Sequence, residues 1–225
     1  MRRGFDFWVF LSGIVAGAAL GVTLSHLGWL PSLRRAPAER IRELSNAEPG
    51  AQPAHTRGGA ATAAVTLEEF GDYQCPPCGA LHPGLKKIES EYGARVRFVF
   101  RHYPLVSIHK RALQAARAAE AAALQDRFWE MHDRLYETQD EWVEDCDARG
   151  RFIAYARELG MDTSRFARDM DSPEMIGRVL LDQRRGDSAG VDATPTLFLN
   201  GREIPSSRRT PEGIRASIEA ALKSQ

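Results

Sequence analysis

Cysteine is scarce in this chain, and neither sign of charge is in excess. Three cysteines in 225 residues exclude a disulfide-dense scaffold. Thirty basic residues balance thirty acidic ones, so the basic footprint that a nucleic-acid partner leaves is missing. Twelve prolines and nineteen glycines are too few for a low-complexity chain. What remains is an ordinary globular composition, 43% hydrophobic and 27% charged, enough for one sizeable domain and not clearly two. Cys75 and Cys78 form a local Cys-x-x-Cys pair, the first feature to explain.

Phe5 to Leu30 carries a single charge, Asp6. As a helix this run spans about 39 Å, enough to cross a hydrocarbon core of ~30 Å. It reads as a signal anchor over 5–30, with the C-terminal bulk on the outer side of the cytoplasmic membrane, the periplasmic or extracellular face. Ala16-Gly17-Ala18 offers a competing cleavage site. Gly13, Gly17 and Gly21 share one helix face and would allow a weak transmembrane homodimer. Residues 31–62, rich in Ala, Pro, Gly and Arg, read as a flexible linker.

From residue 63 onward the pattern is that of a folded domain. Ala63–Phe70 (AAVTLEEF) has strand composition. The Cys pair follows, then Gly79–Tyr92 with Leu81, Leu85 and Ile88 at helical spacing. Val96–Tyr103 alternates apolar and basic residues and reads as a second strand, completing a βαβ unit. Helical segments are predicted at 110–124, 127–136, 151–159, 164–170 and 174–189. A strand at 194–199, an Asn200-Gly201 hairpin and a return strand at 202–204 come next. A helix over 211–222, opened by proline, closes the domain.

A Cys-x-x-Cys pair that opens a helix after a strand carries redox chemistry. Free N–H groups at the helix N-terminus favour a thiolate on the first cysteine, and the thiolate attacks in disulfide exchange. Cys78, one turn on, can resolve the mixed disulfide. The competing reading is half a zinc site, but there is no second Cys-x-x-Cys and no histidine pair at finger spacing, so no metal is expected. His82, His102 and His109 read as surface or satisfied histidines, and Trp129 and Trp142 as core or rim. Cys146, flanked by Glu144, Asp145 and Asp147, reads as a free, poorly reactive thiol.

Residues 63–225 resemble the thioredoxin superfamily, specifically its DsbA-like branch with a helical insertion. Carrying the resemblance are Cys75-Pro76-Pro77-Cys78, Glu69 six residues upstream, Pro83 eight residues downstream, Arg101, and Gly190-Val191-Asp192-Ala193-Thr194-Pro195-Thr196 before the Asn-Gly hairpin. The resemblance implies an α/β thioredoxin-like fold with the insertion at about 107–178, preceded here by the transmembrane helix.

It also implies roles. Cys75 is the exchanging thiol and Cys78 the resolving one. Glu69 would be a buried acid that takes a proton from Cys78, with Arg101 as its cationic partner. Pro195 would be cis, setting Thr194-Pro195 beside the disulfide to seat an extended substrate, and Pro83 would kink the helix. Plainer readings are an exposed strand carboxylate for Glu69, a solvent-facing strand residue for Arg101 and an ordinary trans bond at Pro195. One departure lies inside the motif, where Pro77 replaces the histidine of the best-known DsbA pattern and lacks an N–H.

The expected activity is extracytoplasmic thiol–disulfide exchange with cysteine-containing exported proteins, as an oxidase, with no organic cofactor. The expected partner is a membrane redox protein, a quinone-linked oxidase or a membrane reductant. A dedicated reductase of the same fold is the alternative, and a tethered peptide-binding or chaperone module the non-enzymatic one.

Overall fold

The computed structural model describes residues 41–224. The expected membrane span at 5–30, its Gly13, Gly17 and Gly21 face, and the first part of the linker lie outside the described residues. Among the described residues no helix is long and apolar enough to cross a membrane.

Five strands form a mixed sheet in the order β1-β3-β2-β4-β5. They are β1 (His55–Gly58), β2 (Val65–Gly71), β3 (Val96–His102), β4 (Thr196–Leu199) and β5 (Arg202–Glu203). β2 and β3 run parallel, joined through α1 (Pro76–Tyr92), and the other neighbours are antiparallel. Between β3 and β4 come α2 (Ala112–Ala123), α3 (Phe128–Glu137), α4 (Gln139–Trp142), α5 (Ala148–Glu158), α6 (Thr163–Met170) and α7 (Pro173–Ser188), and α8 (Pro211–Lys223) ends the domain. This is the expected thioredoxin-like α/β fold with a helical insertion.

Strand alternation divides the core. Val65, Leu67 and Phe98 pack on Leu81, Leu85 and Ile88 of α1 and on Ile214 and Ile218 of α8. Phe70 and Phe198 point to the opposite face, toward Leu44 and Val191, where Gly186 of α7 lies against Tyr103 and Phe70. The helical insertion has its own core around Met131, Leu135, Trp142, Phe152 and Phe166, continuous with Tyr73, Cys75 and Cys78. Side-chain caps start four of the helices: Asp147 on Gly150 N, Asp162 on Arg165 N, Ser172 on Met175 N and Thr210 on Gly213 N.

The boundary at residue 63 is corrected. Residues 41–62 are not a free tether: Leu44 and Ala51 are buried, Glu43 bridges to Arg202, and β1 pairs with β3 along its outer edge. A four-residue strand of sequence His-Thr-Arg-Gly shows no apolar alternation. It forms because β3 offers an unpaired row of backbone donors and acceptors there. The insertion also extends further than expected, since α7 runs on to Ser188 and reaches the sheet through Asp182 and Gly186.

Candidate active site

Cys75 is the N-cap residue of α1, with extended backbone geometry, and Pro76 takes the first helical turn. Its thiol donates to the Thr194 carbonyl at 3.3 Å. The Thr194–Pro195 peptide bond is cis, so the loop before β4 lies directly against the attacking sulfur. Cys78 is one turn further into the helix and fully buried. Pro76 and Pro77 are exposed beside the pair.

The two sulfurs are set apart in acidity. Hydrogen bonding from Cys78 is the main influence that brings the Cys75 thiol down to about 6, aided by Thr194 and the Cys78 backbone N–H and opposed by burial and by Asp72. The Thr194 hydroxyl is buried without another partner. Burial pushes the Cys78 thiol well up, and the neighbouring Cys75 and Glu69 add to the rise. The exposed proline ring at position 77 carries no N–H, which leaves the Cys78 N–H as the helix donor to the Cys75 sulfur.

Glu69 sits on β2, two residues before the strand ends, and faces α1 with Leu67. It lines a cavity of about 20 Å³ together with His82, Glu89, Trp129 and His132. Burial, with Glu89 and Cys75 adding to it and Arg57 opposing, raises its carboxyl to about 8. Glu89 on α1 is itself raised to about 7 by burial, against the pull of Arg57.

Arg101 does not pair with Glu69, and this expectation is corrected. It donates to Glu68 Oε1 at 2.8 Å, to Asp182 Oδ1 at 2.9 Å and to the Ala51 carbonyl at 2.8 Å. Glu68 and Glu69 are consecutive strand residues and point to opposite faces. Arg101 registers beside Phe70 and shares its face, the α7 side. The cation near Glu69 is instead Arg57 of β1, which bridges Glu89 at 2.6 Å and Asp133 at 3.3 Å and lies 4.3 Å over the Trp129 ring.

Other residues shape the site beyond those expected. Asp72 is 1% exposed; its carboxylate accepts from Gln74 N, Leu105 N and His109 Nδ1, at 2.8, 2.9 and 2.7 Å. Gln139 donates to the carbonyls of Tyr73 and Cys75 at 2.7 and 3.0 Å, pinning the helical insertion onto the active-site turn. Asp72 directly follows β2 in the turn that leads to Cys75, whereas nothing in the sequence pointed to Gln139. Pro83 lies inside α1, exposed. His82 and His102 are buried rather than at the surface, and Cys146 is exposed as a free thiol. Trp142 is core and Trp129 is rim.

A family model described as thioredoxin matches residues 52–220. Among curated proteins, the Na(+)/H(+) antiporter NhaA 3 of Salinispora tropica is 37% identical over 224 residues, covering 92% of this chain and 33% of its own. The Na(+)/H(+) antiporter NhaA 1 of Salinispora arenicola is 34% identical, with 91% and 33% covered. The chain thus spans about a third of the length of the curated relatives it matches. Among solved structures, oxidised BdbD from Bacillus subtilis aligns with a TM-score of 0.67 and 26% identity over 79% of this chain and 98% of that one. A thioredoxin-like oxidoreductase from Silicibacter pomeroyi aligns at 0.63 with 25% identity over 76% and 92%. The oxidoreductase DsbA from Xylella fastidiosa shares the fold at 0.63 with 19% identity over 82% and 93%.

Proposed function

The chain belongs to the thioredoxin family, and on that premise we propose that it is an extracytoplasmic thiol–disulfide oxidoreductase that oxidises cysteine-containing exported proteins. The observation that carries this reading is the placement of the pair: Cys75 caps the start of α1 against the cis Thr194–Pro195 loop, and Cys78 is buried one turn on.

The reaction begins from the Cys75–Cys78 disulfide. A client thiolate attacks Cys75 Sγ, the intramolecular S–S bond breaks, and Cys78 leaves with the electron pair. Glu69, with a carboxyl near 8 and so mostly protonated at neutral pH, supplies the proton that Cys78 needs. The client's second thiolate then attacks its own bonded sulfur and expels Cys75. A thiol near 6 leaves readily as thiolate. Two electrons pass from client to enzyme. The client's thiol protons go to solvent as the thiolates form, Cys78 keeps the proton from Glu69, solvent reprotonates Glu69, and Cys75 remains a thiolate. The cis Thr194–Pro195 loop beside Cys75 presents backbone to an extended client segment, and exposed Pro76 and Pro77 flank it.

Renewal of the disulfide falls to a quinone-linked partner in the cytoplasmic membrane. Supporting a membrane setting is the apolar run Phe5–Leu30. An exported location favours oxidation, because disulfides persist there. One observation favours the reverse direction, a dedicated reductase renewed by a membrane reductant: Pro77 removes a donor that would otherwise stabilise the reduced form. A peptide-binding module would not require two thiols of opposed acidity.

Trapping tests the reading. Cys75→Ser abolishes exchange with a reduced, unfolded test protein. Given a client that carries a disulfide, Cys78→Ser accumulates mixed disulfides: the Cys75 thiolate attacks one client sulfur, the client S–S bond breaks, and Cys78 is no longer there to release the client. Mixed disulfides that map to position 78 in the single-cysteine variants would exchange the two roles.

A further inference from the structure

We propose that His55, His102 and Glu120 form a site for one divalent transition-metal ion of the zinc class, clamping the edge strand β1 to β3 and α2. The residues lie far apart in sequence and come from three elements, so no ligand spacing announces them. His55 Nε2 and His102 Nε2 converge on the same oxygen, Glu120 Oε1, at 2.9 and 3.1 Å. The ligand atoms of all three lie within 4.8 Å of one another. A tetrahedral ion about 2.1 Å from its donors separates neighbouring donors by ~3.4 Å, so each histidine–glutamate pair needs to open by only a few tenths of an ångström.

A second observation points to the ion independently. His102 is 1% exposed, and neither of its ring nitrogens has a hydrogen-bond partner, the approach to Glu120 being misaligned for one. Buried polar groups are nearly always partnered. A nitrogen lone pair facing a carboxylate oxygen is repelled, and a cation between the two removes the repulsion.

The surroundings suit a held ion. Glu120 Oε2 accepts from Arg178 Nε at 2.6 Å, the outer support given to metal-bound carboxylates. Arg178 is anchored in turn on the Gln52 and Pro53 carbonyls at 3.0 Å. Its Nη2 also stands 3.4 Å from His55 Nε2, and that positive charge lowers the affinity below that of a bare two-histidine, one-carboxylate set. A surface cleft of about 570 Å³ that includes His55 and Glu120 gives an entry path and leaves room for a fourth ligand. Imidazole donors select against calcium and magnesium, which take oxygen ligands. A neighbouring trio, His82, His132 and Asp133, is a poorer candidate: Asp133 already meets Arg57 and Lys86, and His132 Nδ1 meets the Tyr73 hydroxyl.

The test uses the full chain with Cys75, Cys78 and Cys146 each changed to serine, so that no thiol competes. Zinc(II) is titrated against a chromophoric chelator, and cobalt(II) is followed by its ligand-field absorption. The expected result is one equivalent bound and a raised Tm. His55→Phe, which keeps the ring stacked on Phe128 at 3.5 Å, and Glu120→Gln each weaken binding roughly tenfold or more, and His55→Phe loses the Tm rise. A folded cysteine-free chain that binds no zinc, or binding that His55→Phe leaves intact, overturns the proposal.

Discussion

Arg57 Nη2 meets Glu89 Oε2 at 2.6 Å, and through this contact the edge strand β1 sets the charge around Glu69. Arg57 is the influence that holds the Glu69 carboxyl down against burial and Glu89. Arg57→Gln therefore moves the Glu69 titration above about 8, and the pH profile of exchange shifts upward with it. Arg101→Gln leaves that profile in place. It instead strips the cation from Glu68 and Asp182, a loss of about 3–5 kcal/mol for a buried pair. Stopped-flow exchange from pH 6 to 10 and urea unfolding of both variants separate the two effects. A profile that follows Arg101 and ignores Arg57 would restore the pairing the structure rejects.

Glu69→Gln tests the proton step and carries a sign. The folded carboxyl titrates near 8, above its unfolded value of about 4.3. Its favourable contribution is therefore complete below about pH 4 and is lost as pH rises toward 8. The glutamine variant matches the parent in stability at pH 4 and gains a few kcal/mol over it at pH 8, at about 1.4 kcal/mol per pKa unit. Its exchange slows about tenfold or more, because Cys78 loses the carboxyl proposed as its proton donor. A variant as fast as the parent would mean that solvent protonates Cys78.

Much of this site is legible in the sequence, because several of its parts are local. The Cys pair, the proline after Thr194 and the helical periods of Leu81, Leu85 and Ile88 each show within a few residues. What escaped depends on long-range pairing. Arg101 could face either Glu68 or Glu69, and only its register beside Phe70 decides that it meets Glu68. Arg57 lies in a segment with too few apolar residues to look folded, yet backbone pairing with β3 holds it over the site. The convergence of His55, His102 and Glu120 likewise exists only once β1 is placed.

Pro77→His addresses the motif itself. Position 77 is exposed, so an imidazole fits without repacking. The change restores a helix N–H and adds a partial positive charge near Cys75. The Cys75 thiol then titrates below about 6 and the disulfide becomes more oxidising. Thiolate absorbance near ~240 nm, followed against pH in both variants, reads this shift. A value that stays put or rises assigns control to the Cys78 and Thr194 contacts alone.

The most direct measurement is the equilibrium reduction potential of the Cys75–Cys78 pair in the full chain, poised against glutathione at pH 7. A Cys75 thiol near 6 lies between the values of about 3.5 and 7 that accompany strongly oxidising and strongly reducing members of the fold. The predicted potential therefore falls above thioredoxin's about −270 mV and below DsbA's about −120 mV, nearer the thioredoxin end of that interval. A value at or below about −270 mV would contradict the oxidase reading and establish the reductase one.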